Sequence, residues 1–289
     1  MLSYSFTLGN KKKIIFSSDE ENIEFLDSFA KILSLKKEDS FDGLYKKIFF
    51  ISFDSSGREV NILTENYKYF LFKNFSIYLH QNSNYIFCKL KKNLDNDSKI
   101  LLMERVFSIL SYDIILDGGF FLHSGLVKFN NKIILLSGGG NFGKSTACSL
   151  ISSFGEVLCD DMVIILPYLD KYIAHPLPTW SNYLINPIYK KRVINNFYSG
   201  IENYYIVSCA FILSKSKENK IIPLDIKEAI SLLYRFAFDV SSLSFMNKSL
   251  KNDLKKKLFF NICRFSESIP ISLLKFNNTI NFYKELEKV

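Results

Sequence analysis

The residues best suited to chemistry form a glycine-rich run at positions 138–146. This run matches the pattern G-x-x-x-x-G-K-[ST], in which backbone N–H groups cradle phosphate oxygens. In such a loop we expect Lys144 to reach the β- and γ-phosphates and the Ser145 hydroxyl to hold Mg²⁺. The run therefore predicts a site for a nucleoside triphosphate with Mg²⁺. The residues expected to line it are Gly138, Gly139, Gly140, Asn141, Phe142, Gly143, Lys144, Ser145 and Thr146.

The flanking sequence supplies the strand and the helix that this motif needs. Residues 132–137 form a short apolar run of strand type, and residues 145–153 continue without a helix breaker. Phe154 and Gly155 then predict the end of the helix, with Gly155 in the left-handed conformation. The alternative interpretation is a glycine turn that precedes Lys144 by chance, and the order strand, loop, helix argues against it.

Two adjacent carboxylates, Asp160 and Asp161, follow a predicted strand at 156–159 and precede the apolar run 162–166. Carboxylates within an apolar run need a charged partner, which Mg²⁺ and Lys144 would supply. Because successive strand residues point to opposite faces, one carboxylate would serve the metal while its neighbour faces an acceptor hydroxyl as a base. The alternative is a hairpin turn at the two aspartates.

A histidine, His123, stands in the apolar run 120–127. A turn at Asn130 and Asn131 separates this run from the strand at 132–137, so the two runs are expected to pair and to bring His123 near the loop. A lone histidine on an apolar strand is more often a satisfied core residue than a catalytic one. Both interpretations stay open on these residues alone.

With these spacings the chain resembles the bacterial HPr kinase/phosphorylase group, whose P-loop core is akin to that of phosphoenolpyruvate carboxykinase. The resemblance rests on a histidine 21 positions before the loop lysine (144 − 123), the G-x-x-x-x-G-K-S pattern, a short helix and an Asp-Asp pair. It implies an α/β fold in which His123, Lys144 and Asp161 are catalytic. Asp161 would accept the proton of a serine hydroxyl, and Ser145 and Asp160 would bind the metal.

The stretch 174–181 is more similar to small HPr-kinase-like proteins found beside peptide-modifying enzymes, of the SynChlorMet cassette type. We expect the segment around His175 to close over the acceptor, or to form a rigid loop with Trp180 packed on the core. His175 itself is expected to be a phosphate contact or a solvated loop residue. The resemblance covers about residues 118–183. HPr kinases carry a further Mg²⁺-binding glutamate, which residues 182–200 do not offer, so a sugar-regulating role is not expected and a kinase role is.

Three classes of function are compatible with these residues. The leading one is a Mg-ATP-dependent kinase that transfers the γ-phosphate to a serine or threonine hydroxyl of a ribosomally made peptide or small protein, with GTP as the alternative nucleotide. The second is a P-loop ATPase or nucleotide switch in which Asp160 binds the metal and water is the nucleophile. The third is a non-catalytic peptide-binding module, against which the intact Lys144 and Ser145 argue. Arg192, Arg235 and Arg264 are candidates for charge neutralisation during transfer.

The overall composition indicates in which compartment the protein works and which classes of partner are not expected. The five cysteines are odd in number and lack C-x-x-C spacing, which favours a reducing cytoplasm over a disulfide framework. The net charge of +8 is spread over short lysine runs that we interpret as solvated faces, so no nucleic-acid partner is expected. No apolar stretch reaches about 18 residues, so no membrane partner is expected either. Formation of a homo-oligomer is left open.

The hydrophobic pattern divides the chain into two predicted domains. Residues 1–98 alternate short apolar runs with polar turns, which predicts a β-rich N-terminal domain that contributes to substrate recognition. Residues 99–289 are predicted to form the HPr-kinase-like P-loop catalytic domain, with 93–98 as the linker. The remaining predicted elements are helices at 21–35, 100–115, 225–238 and 250–262, and strands at 13–16, 48–53, 60–63, 69–72, 76–79, 85–90 and 204–213.

Overall fold

A computed structural model describes residues 1–38, 45–52, 67–80, 83–139, 142–177, 199–241, 248–277 and 283–288. The chain is a mixed α/β protein, as predicted, and divides into two compact units, Met1–Glu104 and Arg105–Val289. The boundary falls within a long helix, α2, which spans Asn96–Leu116. Among the described residues, no helix combines the length and the apolar character that crossing a bilayer requires.

The first unit contains a seven-stranded sheet, counted over its described residues. Its strands are β1 Leu2–Thr7, β2 Lys13–Ser18, β3 Lys36–Lys37, β4 Tyr45–Ser52, β5 Tyr67–Leu71, β6 Phe75–His80 and β7 Tyr85–Leu90. They pair in the order β3-β1-β2-β4-β7-β6-β5. The β-rich pattern of this region is thus observed, together with a first strand that the sequence analysis missed. The strand predicted at 60–63 lies outside the described residues.

Helix α1, Ile23–Leu33, packs its apolar face against this sheet. A short 3-10 turn at Glu20–Asn22 leads into it. Phe29 lies 4.9 Å from Phe16 between ring centroids, and the centroids of Phe25 and Phe50 are also 4.9 Å apart. Aromatic pairs at such distances add to the free energy gained by burial, so this cluster is the core of the first unit.

The second unit contains the larger sheet and most of the helices that the structure describes. After α2 its elements are β8 Phe120–Phe129, β9 Lys132–Ser137, α3 Lys144–Ile151, β10 Glu156–Cys159, β11 Met162–Tyr168, β12 Lys171–Leu177, β13 Tyr205–Ile206, β14 Cys209–Lys215, β15 Lys220–Pro223, α4 Ile226–Ser241, α5 Lys248–Ser268, β16 Ile271–Phe276 and α6 Tyr283–Leu286. The strands pair in the order β13-β12-β11-β8-β9-β14-β16-β15, and β10 also pairs with β8.

Helices cover both faces of this sheet. On one face, α3 and α6 bury Cys148, Ile151 and Leu286 against apolar side chains of β8, β9 and β14. On the other face, α4 and α5 bury Phe236 and Phe265 against the alternate residues of the same strands. Because strand side chains alternate between faces, a continuous apolar sequence such as β9 is buried on both sides.

The loop predicted to bind phosphate follows the carboxyl end of β9, which runs parallel to β14. The hairpin between β8 and β9 turns at Asn130 and Asn131, whose φ angles of 47° and 61° confirm the predicted two-residue turn. Asparagine tolerates this left-handed conformation better than most residues. The turn therefore fixes the register of the strand that leads into the loop.

The predicted linker at 93–98 is in part helix. Asp95 accepts a hydrogen bond of 2.8 Å from the backbone N–H of Ser98 and so caps the first turn of α2. The helices predicted at 100–115, 225–238 and 250–262 correspond to α2, α4 and α5, each of which is longer than its apolar periodicity indicated. Capping groups outside the periodic segment set the helix ends.

The strand predicted at 204–213 is divided between β13 and β14. Val207 donates a backbone hydrogen bond to Tyr172 of β12, and the next residue, Ser208, donates to Ile133 of β9. The chain therefore changes its neighbours within two residues. Since β11 and β8 lie between β12 and β9 in the sheet, the sheet must curl to bring these two strands together here.

Gly155 ends the turn after α3 for a reason other than the one predicted. Among the described glycines only Gly118 and Gly143 have a positive φ, so Gly155 is not in the left-handed conformation. A Cβ at position 155 would lie 2.9 Å from the carbonyl oxygen of Lys128 and 3.0 Å from Cγ2 of Ile151. Close approach of two backbone segments, and not backbone conformation, requires glycine here.

His175 lies within β12 and is fully buried, which corrects the expectation of a loop residue. Its Nδ1 lies 2.8 Å from the carbonyl oxygen of Ile201. Burial lowers the pKa of the imidazole from 6.5 to about 4, because the cation would lose its hydration. His175 is thus a neutral core residue and not a phosphate contact. Residues 178–181 of that segment, including Trp180, lie outside the described residues.

The buried His175 predicts a specific dependence of stability on pH. Its contribution is fully present above pH 6.5 and is lost as the pH falls toward 4, because the unfolded chain binds the proton first. Between pH 7.5 and pH 5 the free energy of unfolding should drop by about 2 kcal/mol more in the wild type than in His175→Asn. Asparagine keeps a donor near the Nδ1 position and does not titrate. Urea unfolding at the two pH values measures the difference, and equal losses in both proteins would contradict the assignment.

Candidate functional site

The glycine-rich loop joins β9 to α3 at one end of the second sheet. Gly143 precedes α3 with a φ of 90°, and a Cβ there would lie 2.7 Å from Cζ of Phe276. Both the conformation and the crowding require glycine at this position. The ring of Phe142 packs on the loop, since a Cβ at Gly139 would lie 3.2 Å from its Cε2. Gly140 and Asn141 lie outside the described residues.

Lys144 begins α3 and is 7% exposed. Its Nζ donates hydrogen bonds of 2.9 Å and 3.1 Å to the carbonyl oxygens of Gly138 and Gly139. Burial lowers the pKa of the ammonium group below its ordinary value, while the negative charges of Asp161 and Asp160 act in the opposite direction. The Lys144 side chain is therefore held on the loop by hydrogen bonds, and its charge interacts with the charges of both aspartates.

The hydroxyl-bearing residues Ser145 and Thr146 lie in the first turn of α3, and both are exposed. The buried face of this short helix is formed by the residues that follow, Ala147 and Cys148. Close packing holds the helix on β8, since a Cβ at Gly125 would lie 2.5 Å from Sγ of Cys148. The Ser145 hydroxyl and the amino end of α3 thus face away from the core, where a phosphate group or a metal can reach them.

The two aspartates interrupt a single strand that runs alongside β8. Cys159 pairs with Leu126 and Met162 pairs with His123, which is one and the same register. The two residues between them, Asp160 and Asp161, therefore lie opposite Gly125 and Ser124. The carbonyl oxygen of Asp161 accepts a hydrogen bond of 3.0 Å from the backbone N–H of Ser124. The alternative of a hairpin turn at the aspartates is wrong, because β10 and β11 lie along the same edge of β8.

His123 and Asp161 are in direct contact. Nε2 of His123 lies 3.2 Å from Oδ1 of Asp161, and the two side chains are 26% and 30% exposed. The two groups are therefore within ion-pair distance of each other. Together with Lys144, these residues are the three that the resemblance implied to be catalytic, and the structure brings them to one region of the sheet.

The two described candidate arginines lie on α4 and α5, and only Arg235 is next to a residue that borders the glycine-rich loop. Arg235 is exposed on α4, with its guanidinium 5.2 Å from the ring centroid of the neighbouring Phe236. That ring borders the loop, since its Cε1 would lie 3.7 Å from a Cβ at Gly139. Arg264 is exposed on α5 and lines a different cleft at the carboxyl end of α2. Arg192 lies outside the described residues.

Two buried serines escaped the sequence analysis. The Ser137 hydroxyl, at the end of β9, donates a hydrogen bond of 3.1 Å to Oγ of Ser124 in β8. Each serine directly neighbours a predicted site residue in sequence, Gly138 and His123 respectively. Their position next to predicted site residues, and not any periodicity of the strand, is the one sequence signal that they carry.

Burial disfavours nucleophilic chemistry at four of the five cysteines. All five are free thiols, and each except Cys263 is buried. Cys159 lies directly before the aspartates, and burial raises the pKa of its thiol well above the ordinary value. It is thus a small strand residue, in agreement with its position in β10.

Comparisons with known proteins identify the family to which this chain belongs. Among solved structures, a Hpr(Ser) kinase/phosphatase from Coxiella burnetii is 13% identical, with coverage of 58% of this chain and 97% of that chain and a TM-score of 0.30. A comparison with curated proteins returns no match. A family model described as the SynChlorMet cassette protein ScmC matches residues 86–289, well over half of the sequence. The predicted resemblance to proteins of this cassette is therefore confirmed, and the chain belongs to the ScmC family of SynChlorMet cassette proteins.

Proposed function

We propose that the protein is a Mg-ATP-dependent kinase that transfers the γ-phosphate to a serine or threonine hydroxyl of a ribosomally made peptide or small protein. The observation that carries the proposal is the 3.2 Å contact between Nε2 of His123 and Oδ1 of Asp161, close to Lys144. A carboxylate oriented by a neighbouring donor, beside a phosphate-binding lysine, suits removal of a proton from an acceptor hydroxyl.

The described residues of the loop fit a nucleoside triphosphate with Mg²⁺. Gly143 admits a close approach of backbone to phosphate, and the Lys144 ammonium supplies a positive charge. The exposed Ser145 hydroxyl and the half-buried Asp160 carboxylate are oxygen ligands, which Mg²⁺ prefers. When bound, Mg²⁺ would neutralise charge on the phosphates. ATP is the proposed nucleotide, and GTP is the alternative.

The chemistry assigned to the protein's own groups is proton transfer and orientation. Asp161 accepts the proton of the acceptor hydroxyl. At the same time the oxygen of that hydroxyl forms a bond to the γ-phosphorus. The bond from that phosphorus to the β–γ bridging oxygen breaks, which leaves ADP and a phosphorylated acceptor. His123 orients the carboxylate through Oδ1, and Lys144 exchanges the carbonyls of Gly138 and Gly139 for phosphate oxygens.

Membership of the SynChlorMet cassette family supports a peptide acceptor, since the small HPr-kinase-like proteins that the sequence resembles are found beside peptide-modifying enzymes. The β-rich first unit is proposed to contribute to recognition of that acceptor. The cytoplasm, where ATP and newly made peptides are both present, is the proposed compartment.

A P-loop ATPase or nucleotide switch is the second candidate, and one sequence feature favours it. Residues 182–200 hold no glutamate that would match the further Mg²⁺ ligand of the HPr kinases. In this reading Asp160 is the metal ligand and water takes the place of the acceptor hydroxyl. The two candidates differ in where the γ-phosphate goes.

Replacement of Asp161 by asparagine separates these two candidates. Asparagine keeps an oxygen that can accept from His123 Nε2 but cannot take the acceptor proton. We expect transfer of labelled γ-phosphate into a peptide pool from the host to fall about 100-fold or more, with Mg-ATP affinity changed less than about threefold. Asp170→Asn, an exposed aspartate in the turn between β11 and β12, is the matched control and should behave as wild type. Release of free phosphate alone, unaffected by Asp161→Asn, would contradict the kinase and favour the ATPase.

Replacement of Lys144 by alanine tests the nucleotide site itself. Loss of a charge-assisted contact to phosphate should weaken Mg-ATP binding by about 2 kcal/mol, or roughly 30-fold. Isothermal titration calorimetry measures the affinity, and thermal unfolding checks that loss of the bonds to Gly138 and Gly139 has not disordered the loop region. Lys128→Ala, an exposed lysine on β8, is the control with the same charge change. Equal affinity in wild type and Lys144→Ala would contradict the assignment of the loop.

A further inference from the structure

The buried serine pair between β8 and β9 has no role in the proposed chemistry so far. Ser124 and Ser137 are both fully buried. The hydroxyl of Ser137 donates a hydrogen bond of 3.1 Å to Oγ of Ser124. The Ser124 hydroxyl in turn donates a hydrogen bond of 2.9 Å to the carbonyl oxygen of Gly125. The first of these bonds joins two strands that are already paired through their backbones at the same two residues, and the second lies within β8.

The surroundings of this pair are apolar. Ser124 lies between Leu122 and Leu126 on the strand, and both leucines belong to the core cluster under α4 and α5. Two apolar side chains would fill such a place without leaving polar groups to satisfy, and a buried hydroxyl is favourable only when its hydrogen bonds are made. The pair thus adds a positional constraint that an apolar contact, which has no preferred direction, would not supply.

Each end of the pair is connected to a different part of the proposed site. Ser137 directly precedes Gly138, whose carbonyl oxygen accepts from Lys144. Ser124 directly follows His123, and its backbone N–H donates to the carbonyl oxygen of Asp161. One short chain of bonds therefore runs from the strand that carries the phosphate loop to the two residues that would act on the acceptor.

We propose that the Ser124–Ser137 hydroxyl pair positions the phosphate loop relative to His123 and Asp161 for phosphoryl transfer. The pair fixes the end of β9 against β8 and so sets the distance from the bound γ-phosphate to the Asp161 carboxylate. Neither hydroxyl contacts nucleotide or acceptor, so both are positioning residues. This inference rests on the proposed kinase function.

The test compares transfer kinetics of Ser124→Ala, Ser137→Ala and the double variant with wild type. Misplacement of reacting groups lowers the rate of the chemical step more than it lowers binding, so we expect kcat for transfer to fall about 10-fold and Mg-ATP affinity to change less than about threefold. Because the two hydroxyls act as one unit, the double variant should be no slower than the slower single variant.

Ser111→Ala is the matched control for loss of a buried hydroxyl. In the same unit, the Ser111 hydroxyl of α2 donates to the carbonyl oxygens of Ser108 and of Ser241, the last residue of α4. Thermal unfolding of all variants separates a loss of stability from a loss of rate. We expect Ser111→Ala to lower the melting temperature without lowering kcat.

The outcomes are distinguishable. If Ser124→Ala and Ser137→Ala retain the kcat of Ser111→Ala, the positioning inference is wrong and the kinase proposal stands. Additive losses in the double variant would also overturn the inference. If Ser124→Ala does not fold, Ser137→Ala, which leaves the Ser124–Gly125 bond in place, decides the question alone. A wild-type protein that binds Mg-ATP but transfers no phosphate would overturn the proposed function, and this inference with it.

Discussion

The pairing of β8 with its neighbours is the constraint on which the arrangement of the site depends. One edge of β8 is paired with β9, which leads into the glycine loop, and the other edge is paired with β10 and β11. After a register shift between Val157 and Cys159, Cys159 and Met162 share one register against β8, so Asp160 and Asp161 are held opposite Gly125 and Ser124. A slip of one residue would turn every side chain of the strand to the other face and separate His123 from Asp161.

The charges at this place stabilise one another in a partly buried setting. Burial disfavours the charged form of Lys144, and the carboxylates of Asp161 and Asp160 favour it. Opposite charges close together offset part of the cost of their desolvation. In the proposed function, charge arranged in this way before nucleotide binds would contribute to catalysis of phosphoryl transfer.

Local features of this site were predictable from the sequence, because they depend on neighbouring residues. The strand, glycine loop and helix around Lys144 follow from a motif with a known mechanical basis, and the turn at Asn130 and Asn131 follows from the conformational preference of asparagine. The second unit also contains two features that depend on pairing between distant segments. Gly155 is glycine because Lys128 and Ile151 approach it, and His175 is buried because the chain around Ile201 returns to cover β12.

The position of the aspartates illustrates the same limit within the site. Their sequence is equally compatible with a hairpin turn and with an interrupted strand, and only the edge of β8 decides between the two. The Ser124–Ser137 pair was missed because serine in an apolar strand has no periodic signal of its own. The cassette-type family, in contrast, was recognised from short motifs, and the family match confirms it over residues 86–289.

A crystal structure of the protein with Mg²⁺ and a non-hydrolysable ATP analogue would test the central claim most directly. We expect the β- and γ-phosphates at Lys144, the metal at Ser145 and Asp160, and the His123–Asp161 pair facing the γ-phosphate on the side open to an acceptor. A nucleotide bound elsewhere, or a γ-phosphate on the opposite side of the sheet from Asp161, would contradict it.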